Sequence, residues 1–232
     1  MKIDLHNHTS YGSACSYMEP DQCVERAKAI GLDGICITEH DQIWSVDALE
    51  RLKKKHDFLV IGGVEVSTDS GEILAFGLHE SVLNVATALD LRERVDEVGG
   101  VMILAHPFRY QPDLVSAYSS SKSNGDSGNE LIENVCREPV FKLVDSLEVY
   151  NGHSGFGEVE FSRLVADQLQ MKGTGGSDSH GTPEIGSCYC LFEDEIKNES
   201  DFLAGIKDGR FQAVDGRWSD LPYELRANKG TS

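Results

Sequence analysis

Several things are scarce in this sequence, and each scarcity excludes something. No apolar run approaches the roughly 20 residues needed to cross a bilayer, so no membrane partner or spanning helix is expected. Lys2 is followed by neither an apolar signal core nor a cleavage pattern, which points to the cytoplasm. The six cysteines (Cys15, Cys23, Cys36, Cys136, Cys188 and Cys190) form no CxxC and no small-scaffold disulfide pattern, so they read as reduced thiols. Basic residues are few: 21 Lys and Arg stand against 39 Asp and Glu, a net charge of −18. A surface this acidic repels nucleic-acid backbones and argues against duplex DNA as a partner. It leaves room for a small phosphate ester, because bound cations reverse the sign inside one pocket.

What the sequence does have is rhythm. "KIDLH" reads as a buried strand, and "EPDQCVERAKAIGL" as a helix with Pro20 near its start and Gly31 as its stop. "DGICITEHD" is a strand, "SVDALERLKKKH" a helix capped by Ser45, and "FLVIGGVEVST" and "EILAFGL" are strands. "NVATALDLRERVDEVGG" predicts a long helix before the strand "VMILAHP". Residues 110–130, rich in Ser, Gly and Asn, read as a mobile loop insertion, and 224–232 as a frayed tail. Further strand and helix segments follow to about residue 214. One domain over 1–232 accommodates this alternation, and it predicts an α/β barrel with parallel strands inside and helices outside.

The polar residues support a closed barrel. His6, His40, Glu65, His106, Glu148, Asp178 and His180 each fall at or just past the end of a predicted apolar strand. In a barrel those C-terminal ends share one rim, where such folds carry their sites. His6 and His8 stand two residues apart, as do Asp178 and His180, and that spacing at a strand end turns both side chains the same way. Glu65 lies in an apolar strand, a costly place for a carboxylate unless it is paired or metal-bound. Imidazole nitrogens with carboxylate oxygens suit zinc, manganese or iron. The set exceeds the needs of one ion, so two or three divalent ions are expected, close enough to act on one phosphoryl group.

The motifs "DLHNH", "TEHD", "GVEVS", "AHPF", "EVYNG" and "GSDSHG", in that order, resemble the PHP (polymerase and histidinol phosphatase) family. The resemblance implies a distorted (β/α)7 barrel whose metal site sits at the C-terminal rim and hydrolyses phosphoesters. It places one ion on His6, His8, Glu65 and Asp178, and a second on Glu65, His106 and one further side chain. A third falls to His40 and His180. Where the family often supplies an Asp or His to the third ion, this chain has Ser13, Ala14 and Cys15; Cys15 could ligate as a thiolate, but reads first as a buried structural thiol. Where the family commonly has a fourth-strand histidine, Glu72 is expected across a short hairpin from Glu65. His79, roughly 20 Å further along an extended strand, would reach the other barrel end.

Arg109 could clamp a phosphate or sit in a surface ion pair, and His153 could donate a proton to the leaving oxygen. Glu148, Tyr150 and Asn151 lie on the strand end before His153 and are expected to face the substrate; Trp44 could wall the pocket, stack a base or pack in the core; His56 reads as solvated helix surface. The expected activity is hydrolysis of a small phosphomonoester or short nucleotide by metal-activated water, with Asp178 accepting its proton. Hydrolysis of a C–N or C–O bond, or a non-catalytic metal-binding module, are the alternatives.

Overall fold

A computed structural model describes residues 1–123 and 128–218. Strands and helices follow in the order β1 (Lys2–Asp4), α1 (Pro20–Ala29), β2 (Gly34–His40), α2 (Val46–His56), β3 (Leu59–Thr68) and β4 (Gly71–Phe76). Then come α3 (Ala88–Glu97), β5 (Val101–Leu104), α4 (Pro112–Ser123), α5 (Asn129–Val135), β6 (Ser146–Asn151) and α6 (Phe156–Gln168). β7 (Gly173–Gly176), β8 (Cys188–Phe192), α7 (Glu199–Lys207) and β9 (Phe211–Asp215) complete the described chain. Among the described residues no helix is long and apolar enough to cross a membrane.

Local chemistry sets the helix boundaries. Pro20 opens α1, and Gln22 Oε1 accepts from the backbone N–H of Glu19 at 3.2 Å. Ser45 caps α2 by accepting from Ala48 N. Thr87 caps α3 in the same way at 3.0 Å, so that helix starts at Ala88 and is shorter than the sequence pattern implied. The stretch 110–130 departs most from expectation. Pro112–Ser123 is helical, because the hydroxyls of Ser119 and Ser123 donate back to the carbonyls four residues earlier instead of competing with the helix. Tyr118 anchors α4 by packing 5.2 Å from the ring of Phe161. Residues 124–127 and the tail 224–232 lie outside the described residues.

One sheet of nine strands, in the order β7-β6-β5-β4-β3-β2-β1-β8-β9, curls into a nearly closed barrel among the described residues. β1, β2 and β3 run parallel, β4 runs against its neighbours, and β5, β6 and β7 are parallel again. The register pairs His40 with Glu65, so Glu65 stands level with the end of β2 although β3 continues beyond it. Since β4 is reversed, its first residues rather than its last reach this rim, and Glu72 arrives there across the short turn. The seam closes where Asp178 N donates to His6 O at 2.8 Å and Asn7 bridges Ser179. Lower down, β8 takes the free edge of β1 in antiparallel pairing, and β9, which follows α7, pairs antiparallel with β8.

The barrel is apolar at one end and polar at the other. Ile3, Ile61, Leu74 and Ile103 fill its interior with Phe76, Phe192, Phe202 and Phe211, all buried. Helices α3 to α6 pack a second cluster outside, and α1 and α2 a third. The seam depends on the absence of a side chain: a Cβ on Gly176 would stand 2.4 Å from His6 Cβ and 2.6 Å from Glu148 Oε1. Gly176→Ala is therefore expected to destabilise the metal-free protein by about 1–3 kcal/mol through overpacking, measured by urea unfolding.

Candidate metal centre

At the polar rim the side chains from separate strand ends converge. His6 Nε2 stands 3.0 Å from His8 Nε2, 3.4 Å from Glu65 Oε1 and 3.4 Å from Asp178 Oδ1. His8 Nε2 stands 3.3 Å from Glu65 Oε2 and 3.2 Å from Asp178 Oδ1. Ligands about 2.0–2.1 Å from a tetrahedral ion are separated by roughly 3.3 Å, so these spacings match one coordination shell. Glu65 Oε1 also lies 3.0 Å from His106 Nε2, which is 3.6 Å from Glu72 Oε2. His40 joins from the other side, its Nδ1 3.0 Å from Glu65 Oε2, and ligand atoms of His40, Glu65 and Glu72 all lie within 4.8 Å of one another. His8, His40 and His180 form a further group within the same span.

The backbone bends sharply to present two of these groups. His106 and Asp178 have φ of 28° and 55°, in the left-handed region that His and Asp tolerate better than most residues. Pro107 after one and the close seam beside the other hold the bends in place.

Partners behind the ligands fix which ring nitrogen is bare. His6 Nδ1 donates to Glu148 Oε1 at 3.0 Å, which turns Nε2 toward the cluster and leaves it bare whenever the ring is neutral. His180 Nδ1 donates to the carbonyl of Asp178 at 2.9 Å, with the same result. For His8 the decision passes through a hydroxyl. Ser13 has one proton, which goes to Glu39 Oε2 at 2.5 Å, so its oxygen accepts from His8 Nδ1 at 3.2 Å and from His40 N at 3.2 Å. Glu39 is fully buried and takes further donors from Thr9 N at 3.0 Å, the Thr9 hydroxyl and Trp44 Nε1 at 3.1 Å.

The charge balance shows what is missing. Burial alone would neutralise His6, yet Asp178, Glu65 and Glu148 outweigh it and raise its pKa well above the usual imidazole value. Burial lowers His8 to about 4, with His6 pushing the same way against its hydrogen bond to Asp178. Desolvation would raise Asp178, but His6, the His8 hydrogen bond and Arg109 hold it well below the carboxylate range. Burial lifts Glu72, and the nearby Glu65 adds to it. Glu65, 1% exposed, has an Oε2 that accepts no hydrogen bond although the nitrogens of His8 and His40 lie close. A buried oxygen ringed by ring nitrogens without a well-directed donor is costly in water-free surroundings, and a divalent cation among those atoms removes the cost. The residues present therefore fit a metal centre.

Residues 4–137 match the PHP domain and residues 159–211 the PHP-associated (PHP_C) region. The chain belongs to the PHP family. It is 30% identical over 200 residues to the uncharacterized protein MJ0417 of Methanocaldococcus jannaschii, covering 84% of this chain and 71% of that one. Among solved structures it resembles a two-domain protein of Bacteroides vulgatus that contains a "predicted PHP-like metal-dependent phosphoesterase". That match has a TM-score of 0.68 at 18% identity and covers 92% of this chain, which spans only 64% of the Bacteroides chain. PsfC of Pseudomonas syringae matches with a TM-score of 0.61 at 16% identity, covering 97% of both chains. These likenesses place the fold among PHP barrels.

Within that family frame, His6, His8, His40, Glu65, Glu72, His106, Asp178 and His180 all converge at one rim. His79 does not: it pairs with Glu199 at 3.2 Å, its side chain half exposed. Four sequence readings of the site need correction. Cys15 is exposed and belongs to no ligand group among the described residues, because its loop turns Ser13, not Cys15, inward. Glu148 and Asn151 sit behind the ligands instead of facing a substrate; Glu148 Oε2 also receives His106 N at 3.0 Å and Asn151 Nδ2 at 2.9 Å. His56 is covered, its ring held by Asp21 at 2.6 Å between α1 and α2. Arg109 is neither a surface pair nor a free clamp: Nη1 holds Asp178 Oδ2 at 2.7 Å while Nη2 holds Asn151. His153 stands half exposed at the mouth, its Nε2 3.0 Å from the carbonyl of Asp178. Sequence reading missed Glu39 and Ser13, and the burial of Glu39 inside the apolar "ICITEH" run was the available signal. Glu148→Gln and Ser13→Ala are each expected to lower zinc or manganese affinity by about 10–100-fold, read by isothermal titration. His79→Ala should leave that affinity unchanged.

Proposed function

We propose that this chain is a metal-dependent phosphoesterase that hydrolyses a small phosphorylated substrate. One observation carries the reading: the buried Glu65 carboxylate, lacking a donor on Oε2, lies among imidazole nitrogens at ligand spacing. His6, His8, Glu65 and Asp178 would hold one ion, and Glu65, His106, Glu72 and His40 a second. The third site is the weakest. His8 turns Nε2 toward the first group and Nδ1 toward Ser13, His40 is shared with Glu65 and Glu72 of the second group, and His180 is left with the more exposed His153 and Glu184. Two ions of zinc, manganese or iron are the expected complement. Such ions supply Lewis acidity toward a phosphoryl oxygen and lower the pKa of water to near neutrality.

The chain's own residues then have distinct tasks. Arg109 neutralises and orients Asp178, and its positive charge lies within reach of a phosphoester at the rim. Asp178, held in the ionised form, serves as a ligand more readily than as a proton acceptor. His153 is the nearest half-exposed imidazole to the mouth and is assigned the proton delivered to the leaving oxygen. Thr9, Ser13 and Glu39 keep the His8 ring in position.

Metal analysis of the purified protein should find about two ions per chain, and phosphate release from a panel of phosphomonoesters should depend on them. A chelator should abolish release and added metal should restore it. His6→Ala and Asp178→Ala should each lower kcat by about 100-fold or more, since each removes a ligand from the shared shell. Full hydrolysis by metal-free protein, or a metal-loaded protein that binds phosphoesters without cleaving any, would sink the reading.

A further inference from the structure

Beside the ligand cluster lies a cavity of about 1020 Å3. Glu72 and His106 belong to its wall and to the cluster at once, so the two spaces are continuous. Away from those two residues the wall changes character. Leu104, Phe108, Leu114, Val140 and Phe141 line it with carbon, from the end of β5, from α4 and from the turn after α5. Leu89 on α3 and Tyr110 stand at its edge, 55% and 75% exposed, two of the large apolar side chains this protein leaves in solvent. The charged residues around it are Asp69, Glu72 and Glu138 against Lys142 alone.

Small-molecule sites occupy about 300–1,000 Å3, so the volume is that of a whole ligand and far more than a phosphate needs. A phosphate bound at the cluster would project its ester oxygen toward this space. The acidic margin repels a second phosphate there, and the apolar side chains that make up most of the wall, with Ser70 and Gln111 among the exceptions, favour a carbon surface over a polyhydroxy one. We infer that the substrate is the phosphomonoester of a bulky, uncharged, apolar alcohol, whose organic group fills this cavity while its phosphate meets the metal ligands. This rests on the phosphoesterase reading and narrows it away from nucleotides and sugar phosphates. In the reaction, a water oxygen bonds to phosphorus and the ester P–O bond breaks. The leaving oxygen takes a proton, and inorganic phosphate and the alcohol depart.

The test uses the metal-loaded full chain and a matched series: butyl, hexyl and octyl phosphate, 1-naphthyl phosphate, glycerol phosphate and AMP. Burial of the chain should raise kcat/KM by about four-fold per methylene from butyl to octyl. Naphthyl phosphate should exceed glycerol phosphate and AMP by ten-fold or more. Leu114→Arg, which places a charge in the wall, and Leu89→Arg, at an exposed position on the edge, should each flatten the series. A flat series in the wild type, or better cleavage of AMP or glycerol phosphate, overturns the substrate class while leaving the phosphoesterase reading intact. If no ester is cleaved, the phosphoesterase reading has failed and the substrate class falls with it. Fluorescence titration of metal-free protein with 1-naphthol separates the two failures. Binding weakened ten-fold or more by Leu114→Arg shows that the cavity takes apolar alcohols regardless of hydrolysis, and absence of binding to the wild type shows that it does not.

Discussion

Glu65 is buried with an oxygen that receives no well-directed hydrogen bond, and much of the rim is arranged around that one carboxylate. Its position follows from the sheet: β3 continues past the end of β2, so a residue in mid-strand becomes a residue of the rim. His6, His8, His40 and His106 all turn ring nitrogens toward it, and Asp178 and Glu72 add negative charge nearby. A buried cluster of acids and bare imidazoles is unfavourable by itself, and cations turn the same arrangement into a stable one. The apolar plug at the opposite end of the barrel supplies the stability that lets the rim be so poorly balanced.

Around the ligands lies a layer of hydrogen bonds that leaves little to chance. Glu148, the Asp178 carbonyl and the Glu39–Ser13 pair each claim one nitrogen of a histidine and so aim the other. The serine is the informative member. At a place where the family resemblance leads a ligand to be expected, this chain offers a hydroxyl whose single proton is already committed to Glu39. The loop has thus exchanged direct ligation for orientation of a neighbour.

Much of this was legible in the sequence. Strand and helix order and the convergence of the histidines follow from periodicity and motif order, while the expectation of Glu72 in place of a fourth-strand histidine comes from the family resemblance together with the short turn between β3 and β4. What was not legible depends on contacts between distant segments. The exposure of Cys15 turns on which residue of the loop between β1 and α1 faces Glu39, and spacing alone does not encode it. The inward role of Glu148 comes from the approach of β5 and β6 to His6. The serine-rich stretch misled because composition registers the preference of serine for loops, whereas α4 satisfies those hydroxyls within itself and anchors on Phe161 through Tyr118.

The seam between β1 and β7 also has a consequence in time. Asn7 and Ser177, which meet across it, are separated by 170 residues of chain. His6 and His8 emerge at the start of synthesis, but the carboxylate of Asp178 that completes their shell appears only after the first seven strands have been made. During translation the early histidines are therefore an open pair, able to hold an ion only loosely. Tight loading has to follow barrel closure, which makes it a record that the polypeptide was finished and correctly folded.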